Sequence, residues 1–198
     1  MIRRWSRTAL LALGVSLGAG HAAAGESTAT AVFAGGCFWC IEADMEKLPG
    51  VIAAESGYTA GQKPNPTYEQ VSAGGSGHTE AIRVTYDPAK VNYAQLVEYF
   101  WRHIDPTVKD KQFCDSGSQY RSGIYWGSDG ERKIAESSRD ALLASGKFKA
   151  IQTEIIAATT FYPAEDYHQD YYKKNPIRYA YYRRGCGRDQ RVEELWGK

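Results

Sequence analysis

The sequence predicts an α+β fold: a ferredoxin-like two-layer α/β sandwich with extra elements and an irregular C-terminal tail. Two observations support this prediction. Segments with strand alternation and segments with helical periodicity follow one another as strand–helix–strand, twice, which is typical of a split βαβ arrangement. The Gly-rich nucleotide fingerprint of an open doubly wound sheet, the alternative architecture, is absent from the sequence.

The first strand–helix–strand unit ends near residue 58. Residues 28–34 (TATAVFA) are small, β-branched or apolar and predict a buried strand. After two glycines, apolar side chains recur at steps of three and four from Phe38 to Leu48, which predicts a helix. Residues 51–58 predict a second strand, and residues 60–77 predict a long polar loop.

The second unit begins with the clear alternation of residues 79–86. Asn92 is a candidate cap for the next helix, and a loop is expected over residues 107–121. We then predict a short strand at 122–126, a helix at 129–144 and a strand at 153–158. From residue 161 onward the chain is rich in Tyr, Asp and Arg, which predicts short helical turns and an irregular tail.

The first 24 residues have the pattern of a secretory signal peptide. Arg3, Arg4 and Arg7 form a positive segment, and an apolar stretch and small residues suited to cleavage follow. The stretch is too short to span a bilayer well, although an uncleaved anchor is the alternative. We predict a signal peptide at residues 1–24, a single domain at residues 25–198, and export to the periplasm without stable membrane association.

Length and charge narrow the classes of partner. The chain has 198 residues, enough for one domain with a sizeable core. Three of its 24 Lys and Arg residues lie in the predicted signal peptide, which leaves 21 against 23 Asp and Glu. Proteins that bind nucleic acid usually carry a basic excess, so no nucleic-acid partner is expected. We expect the protein to be a monomer.

Four cysteines follow the predicted signal peptide, at positions 37, 40, 114 and 186. In an exported protein the default interpretation is two structural disulfides, for which sequence alone leaves three connectivities open. Cys37 instead lies after a strand and two glycines, at the start of a helix, where unpaired N–H groups and the helix dipole stabilise a thiolate. A buried half-cystine is the alternative.

The neighbours of Cys37 suggest both a substrate and a rival chemistry. Phe38 and Trp39 would form an apolar wall beside the thiolate for an uncharged substrate, although Phe38 also fits the helix core. Cys40 completes a Cys-x-x-Cys spacing, which by itself indicates thiol–disulfide exchange.

Glu80 shares one face of its predicted strand with Ile82, Val84 and Tyr86. A carboxyl group on an apolar face is desolvated, which raises its pKa and lets it donate a proton near neutral pH. The alternative is a solvated carboxylate at the end of the strand.

Two further segments carry candidate site residues. In the polar loop before residue 122, Tyr120 can donate a hydrogen bond and Asp115 can orient a substrate N–H group. Glycines flank Cys186, which suits a mobile cysteine that resolves an oxidised nucleophile. Residues 162–168 lack the ligand spacing of a metal site, and no metal is expected.

Five ordered motifs give the chain a family resemblance. They are residues 36–39 (GCFW), 65–68 (NPTY), 77–81 (GHTEA), 119–122 (QYRS) and 164–169 (AEDYHQ). Together they resemble peptide methionine sulfoxide reductase A, the type specific for the S epimer, over essentially all of the mature chain. The resemblance implies that Cys37 attacks the sulfoxide sulfur and that protonated Glu80 donates to its oxygen. Tyr68 and Tyr120 would add hydrogen bonds.

The resemblance also implies how the substrate is held and how the enzyme is recycled. Phe38 and Trp39 would hold the S-methyl group, and Asp115 would orient the substrate. Attack leaves a sulfenic acid on Cys37, which Cys186 would convert to a disulfide. A thioredoxin-like dithiol would then regenerate the enzyme, with no metal or organic cofactor. The substrates would be oxidised proteins or peptides that contain methionine sulfoxide.

The chain departs from the family pattern in its cysteines. Some members carry two cysteines in the C-terminal tail, whereas here Cys186 stands alone there. Cys40 is an alternative resolving cysteine, and Cys114 is expected to be a bystander. Two rival functions remain open: a dithiol–disulfide oxidoreductase using Cys37 and Cys40, and a secreted binding domain with two disulfides.

Overall fold

The computed structural model describes Met1 and residues 27–197, so the predicted signal peptide lies, apart from Met1, outside the described residues. Within this part no helix is long and apolar enough to cross a membrane. The elements are β1 (Ala29–Gly35), α1 (Phe38–Met45), β2 (Val51–Thr59), α2 (Tyr68–Ser72), β3 (Thr79–Tyr86), α3 (Tyr93–Trp101), β4 (Lys111–Gln112), β5 (Asp115–Ser116), a short 3-10 helix (Ser118–Tyr120), β6 (Ser122–Trp126), α4 (Asp129–Ala144), β7 (Glu154–Ala157), β8 (Tyr162–Pro163), α5 (Tyr171–Lys174), α6 (Pro176–Gly185) and α7 (Arg188–Trp196).

The main sheet has six strands in the order β7-β6-β1-β3-β2-β8. Its four central strands, β6, β1, β3 and β2, pair antiparallel with one another, whereas β7 pairs parallel with β6; β3 lies between β1 and β2. This insertion of β3 between the two strands that α1 connects is the split βαβ arrangement that the sequence predicts. The ferredoxin-like prediction is confirmed, with β7 and β8 as the added edge strands.

The core lies between this sheet and the helices α1 and α3. Phe33 of β1 stacks on Phe100 of α3 with ring centroids 4.9 Å apart, and both side chains are fully buried. Asn92 caps α3 as predicted, because its side chain accepts a hydrogen bond from the Gln95 N–H at 2.9 Å.

The chain after residue 170 differs from the prediction of an irregular tail, because it forms the helices α5, α6 and α7. Pro176 opens α6, where its fixed φ and missing N–H suit a helix start. No side chain of α6 is fully buried. It therefore lacks the apolar stripe by which helices are read from sequence. Short elements also interrupt the two predicted loops: α2 lies in the first, and β4, β5 and the 3-10 helix lie in the second.

Arg188 anchors the C-terminal helices to the core. Its side chain is 2% exposed and forms an ion pair with Asp44 of α1, Nε to Oδ2 3.4 Å. Its guanidinium donates to the carbonyl of Gly35 at 3.0 Å and to that of His103 at 2.9 Å. The same group lies 4.5 Å from the centroid of the Phe113 ring. One arginine therefore ties α7, α1, the end of β1 and the loop before Cys114 together.

We expect Arg188→Met to destabilise the fold by about 3 kcal/mol, because removing one member of a buried pair leaves the other charge without full compensation. Arg183 also pairs with Asp44 at 3.0 Å, which limits the loss. Urea unfolding measures the effect. Arg102→Met is the control, since the Arg102–Glu98 pair is exposed and contributes about 0.5 kcal/mol at most. Equal losses in the two variants would contradict this role of Arg188.

Candidate active site

The ends of four strands meet at one edge of the sheet. Gly35, the last residue of β1, pairs with Ser122, the first residue of β6. Tyr58, near the end of β2, pairs with Glu80, near the start of β3. Because neighbouring strands are antiparallel, the segments that follow β1 and β2 and those that precede β3 and β6 converge here. The first four of the five family motifs, which end at residue 122, lie in or next to these segments.

A glycine turn places Cys37 at the start of α1. Gly36 has a φ of +81°, which is unfavourable for other residues. A Cβ at this position would also lie 2.5 Å from the Cβ of Gln112, a fully buried side chain. Glycine therefore allows both the turn and the close packing that bring Cys37 into the site.

A cavity of about 80 Å³ lies at this edge of the sheet. Seven of the eight predicted site residues line it, and the exception is Cys186. The lining residues are Cys37, Phe38, Trp39, Tyr68, Glu80, Asp115, Tyr120 and Tyr182. Tyr182 is the residue that sequence reasoning missed, because it lies on a helix that was predicted to be an irregular tail.

Cys37 and Cys40 are both buried free thiols. Burial raises the pKa of Cys37 well above its usual value, and the hydrogen bond to Cys40 adds to this. The pKa of Cys40 is lowered, first by the hydrogen bond from Cys37 and then, against burial, by the charge of Arg188. The predicted stabilisation of the Cys37 thiolate by the helix N-terminus is therefore wrong for this structure, because burial raises the pKa of Cys37 instead. The first N–H group of α1, that of Phe38, donates its hydrogen bond to another group.

That group is Glu80. The Phe38 N–H donates to Glu80 Oε2 at 2.9 Å, and the Glu80 side chain is 2% exposed. Burial raises its pKa to about 8, although the hydrogen bond from Phe38 lowers it. Glu80 is therefore protonated at neutral pH, as its place on the apolar face of β3 predicts, and it can donate a proton into the cavity.

Aromatic side chains form one wall of the cavity. Phe38 is 1% exposed and contacts Tyr68 and His168, with ring centroids at 6.4 Å and 4.9 Å. The Trp39 indole stacks on Tyr171 at 3.7 Å and donates to His168 Nδ1 at 3.0 Å. These contacts fix both rings beside Cys37, and they give a rigid apolar surface.

Three tyrosine hydroxyls face the same space. Burial raises the pKa of Tyr68 to about 12 and also raises the pKa values of Tyr120 and Tyr182, so all three remain protonated donors at neutral pH. The Tyr182 hydroxyl donates to Asp115 Oδ2 at 2.6 Å and lies within hydrogen-bonding reach of the Cys37 sulfur. Asp115, predicted to orient a substrate, thus already holds a protein partner.

The cysteine pairing differs from the prediction. Cys186 forms a disulfide with Cys114, so Cys114 is not a bystander, and the implied Cys37–Cys186 bond is not the pair present. Cys186 follows a regular helix instead of a mobile tail, and the anchored segments bring it to a Cα–Cα distance of 4.9 Å from Cys114. Two structural disulfides are excluded, since Cys37 and Cys40 are free.

One cluster in the described part of the chain has metal-binding geometry, formed by Cys114, Asp115 and Cys186. Metals bind cysteine as the thiolate, and both of these sulfurs are committed to the disulfide. The cluster therefore offers a metal only one carboxylate in this redox state.

The fold and the cavity together define a class of protein. A buried free thiol beside a protonated carboxyl, with a disulfide one helical turn beyond Tyr182, belongs to a thiol-based oxidoreductase on a ferredoxin-like sheet. Comparisons of this chain with known proteins agree with this class. The sequence model of the family described as peptide methionine sulfoxide reductase matches residues 29–198.

Individual relatives agree with the family match. Peptide methionine sulfoxide reductase MsrA 2 of Caulobacter vibrioides is 51% identical over 176 residues, which is 89% of each chain. Peptide methionine sulfoxide reductase MsrA of Bacillus licheniformis is 48% identical over 87% of this chain and 96% of its own. The reduced form of Mxr1 from Saccharomyces cerevisiae superimposes with a TM-score of 0.71 at 30% identity, covering 76% of this chain and 87% of its own. The chain therefore belongs to the peptide methionine sulfoxide reductase family. It is an enzyme, an oxidoreductase that uses thiols to reduce methionine sulfoxide.

Proposed function

We propose that the cavity binds the side chain of methionine S-sulfoxide and that Cys37 and Glu80 carry out its reduction. The observation that supports this most strongly is the free thiol of Cys37 in the same small cavity as the protonated carboxyl of Glu80. A sulfoxide needs both a nucleophile for its sulfur and a proton for its oxygen. These two groups supply them from one place.

In the proposed reaction, the Cys37 sulfur releases its proton to solvent and attacks the sulfoxide sulfur while Glu80 protonates the oxygen. Tyr68 and Tyr120 donate hydrogen bonds to that oxygen as its charge develops. Phe38 and Trp39 contact the S-methyl group. The oxygen passes to Cys37, which becomes a sulfenic acid, and methionine leaves. Glu80 is then reprotonated from solvent.

Cys186 is the proposed resolving cysteine, with Cys40 as the alternative. A Cys186 thiol condenses with the sulfenic acid, forming a disulfide with Cys37 and releasing water. A thioredoxin-like dithiol supplies the electrons for the next cycle. This donor class is supported by Mxr1 of Saccharomyces cerevisiae, which has a solved complex with Trx2. The proposed substrates are oxidised proteins and peptides, and free methionine sulfoxide.

General disulfide exchange by Cys37 and Cys40 is not favoured. Their side chains are 7% and 1% exposed, and exchange requires a partner sulfur to approach in line with the attacking one. A protein disulfide is too bulky for a cavity of about 80 Å³, whereas a methyl sulfoxide group is small.

The test is epimer-resolved turnover with dithiothreitol. We expect reduction of methionine S-sulfoxide, little reduction of the R epimer and no acceleration of insulin disulfide reduction. The two epimers differ in the arrangement of the methyl group and the oxygen around the sulfur. Because the cavity has an apolar wall on one side and the proton donor on the other, it accepts only the epimer whose methyl group meets the wall while its oxygen meets the donor. Equal use of both epimers would contradict the proposed geometry.

We further propose that residues 1–24 direct export and are removed, and that the mature protein acts in the periplasm as a monomer without a metal or organic cofactor. Mass spectrometry of the mature N-terminus tests the export proposal, and an intact residue 1 in the purified periplasmic or membrane fraction would contradict it.

A further inference from the structure

The two sulfurs of the Cys114–Cys186 disulfide differ in their access to solvent. Cys114 is exposed, at the turn between β4 and β5, whereas Cys186 is half-buried between α6 and α7. Reduction of a disulfide begins when a thiolate approaches one sulfur along the S–S axis, and access decides which sulfur is attacked. A protein donor therefore reaches Cys114 more easily than Cys186.

Hydrogen bonding favours the same direction of attack. The Cys114 N–H donates to the Cys186 sulfur at 3.2 Å. A hydrogen bond to the sulfur that leaves stabilises it as a thiolate, and a better leaving thiolate is displaced faster. Asp115 lies 3.7 Å from the Cys114 sulfur and 4.0 Å from the Cys186 sulfur, so its charge does not discriminate between them.

Cys186 also follows the helix α6, which carries a residue of the active site. Cys186 lies one helical turn after Tyr182 on α6, and the Cys186 N–H donates to the Tyr182 carbonyl at 2.9 Å. The Tyr182 side chain in turn lines the cavity with Cys37. Cys186 is thus next to a residue that contacts the nucleophile, while Cys114 is on the solvent side.

We propose that Cys114 is the recycling cysteine, the sulfur at which the external dithiol donor attacks, and that Cys186 is released toward Cys37. This rests on the proposed function for the donor class and for resolution by Cys186. The donor thiolate bonds to Cys114, the Cys114–Cys186 bond breaks, and Cys186 leaves as a thiolate. The second donor thiol then displaces Cys114, so the donor is oxidised by two electrons and both cysteines are reduced. After the next sulfoxide, Cys114 attacks the Cys37–Cys186 disulfide at Cys186, restores the bond seen here and frees Cys37.

Trapping the mixed disulfide tests this assignment. The full mature enzyme in its disulfide form is mixed with a bacterial thioredoxin whose second active-site cysteine is replaced by serine. The mixture is quenched with acid, alkylated with N-ethylmaleimide and digested for mass spectrometry. We expect thioredoxin linked to the Cys114 peptide and maleimide on Cys186. Thioredoxin linked to Cys186, or to neither cysteine, would overturn the proposal.

A kinetic comparison gives a second readout. In Cys114→Ser, the ratio of thioredoxin-supported to dithiothreitol-supported turnover should fall by roughly tenfold or more, because a bulky donor needs the exposed sulfur. Ser116→Ala, an exposed change in the same hairpin, should keep the wild-type ratio. An unchanged ratio in Cys114→Ser would overturn the proposal. Failure of the wild type to reduce the S-sulfoxide even with dithiothreitol would instead count against the proposed function.

Discussion

Replacing Cys37 with serine is expected to abolish reduction of methionine sulfoxide with every thiol reductant, the largest effect of any single substitution. A serine hydroxyl is nearly isosteric, but it is a far weaker nucleophile near neutral pH and forms no sulfenic acid. Among the cysteines of the described residues, Cys37 alone lines the cavity, so no other thiol is placed to replace it. Turnover of the S epimer with dithiothreitol measures the loss.

Cys40→Ser is the matched control, because it changes the same atom in a side chain that is also buried and three residues along the same helix. We expect this variant to keep measurable turnover with dithiothreitol, since Cys40 does not line the cavity. Turnover that survived in Cys37→Ser and was lost in Cys40→Ser would exchange the roles of the two thiols and contradict the proposed chemistry.

The second largest effect is expected for Glu80→Gln, which removes the proton donor without changing its size. Loss of a general acid slows such a step by about 10²- to 10⁴-fold. Wild-type kcat/KM should also show an ionisation near pH 8, since Glu80 is protonated below this pH and loses its proton above it. In Glu80→Gln this ionisation should be missing, and the rate should stay low in acid because the amide has no acidic proton to give.

Glu42→Gln provides the control for burial alone. Glu42 is also a fully buried glutamate whose pKa is raised by burial, to about 7, but it bonds to Ser56 and to the Asp170 N–H and does not line the cavity. We expect it to change kcat/KM far less than Glu80→Gln. A loss of similar size in the two variants would mean that the Glu80 effect is structural.

The main strands and helices could be predicted because each buries only one of its faces against the core. On β3, Ile82, Val84 and Tyr86 face the core and alternate with less buried residues, which is the signal that period-two alternation detects. The apolar stripe of α3 is equally plain. The C-terminal helices were predicted only as short helical turns, because the apolar side chains of α6 form no buried stripe: Ile177 and Tyr181 are exposed, and Arg183 holds the helix through an ion pair with Asp44.

The cavity was largely predictable for a topological reason. Antiparallel pairing brings the end of β1 beside the starts of β3 and β6, so motifs distant in sequence meet once the strand order is known. Tyr182 escaped prediction because its role depends on how α6 docks over the site. The raised pKa of Cys37 also depends on burial, which a glycine-flanked helix start does not reveal.

The cysteine pairing was the least predictable feature. Glycines on both sides of Cys186 indicated mobility, but Arg188, two residues later, is buried and holds the segment in place. Its guanidinium also packs on the Phe113 ring, next to Cys114. These long-range contacts select Cys114 as the partner, and no local pattern around either cysteine encodes them.

Transfer of oxygen to Cys37 is the central step of the proposed mechanism, and one trapping measurement tests it directly. The reduced Cys40→Ser/Cys186→Ser double variant retains Cys37 but lacks both candidate resolving thiols. It is mixed with methionine S-sulfoxide and dimedone without reductant, and adducts are located by peptide mass spectrometry. We expect one methionine released per enzyme and the dimedone adduct on Cys37. Methionine release without that adduct, or an adduct on Cys114 instead, would contradict the proposed mechanism.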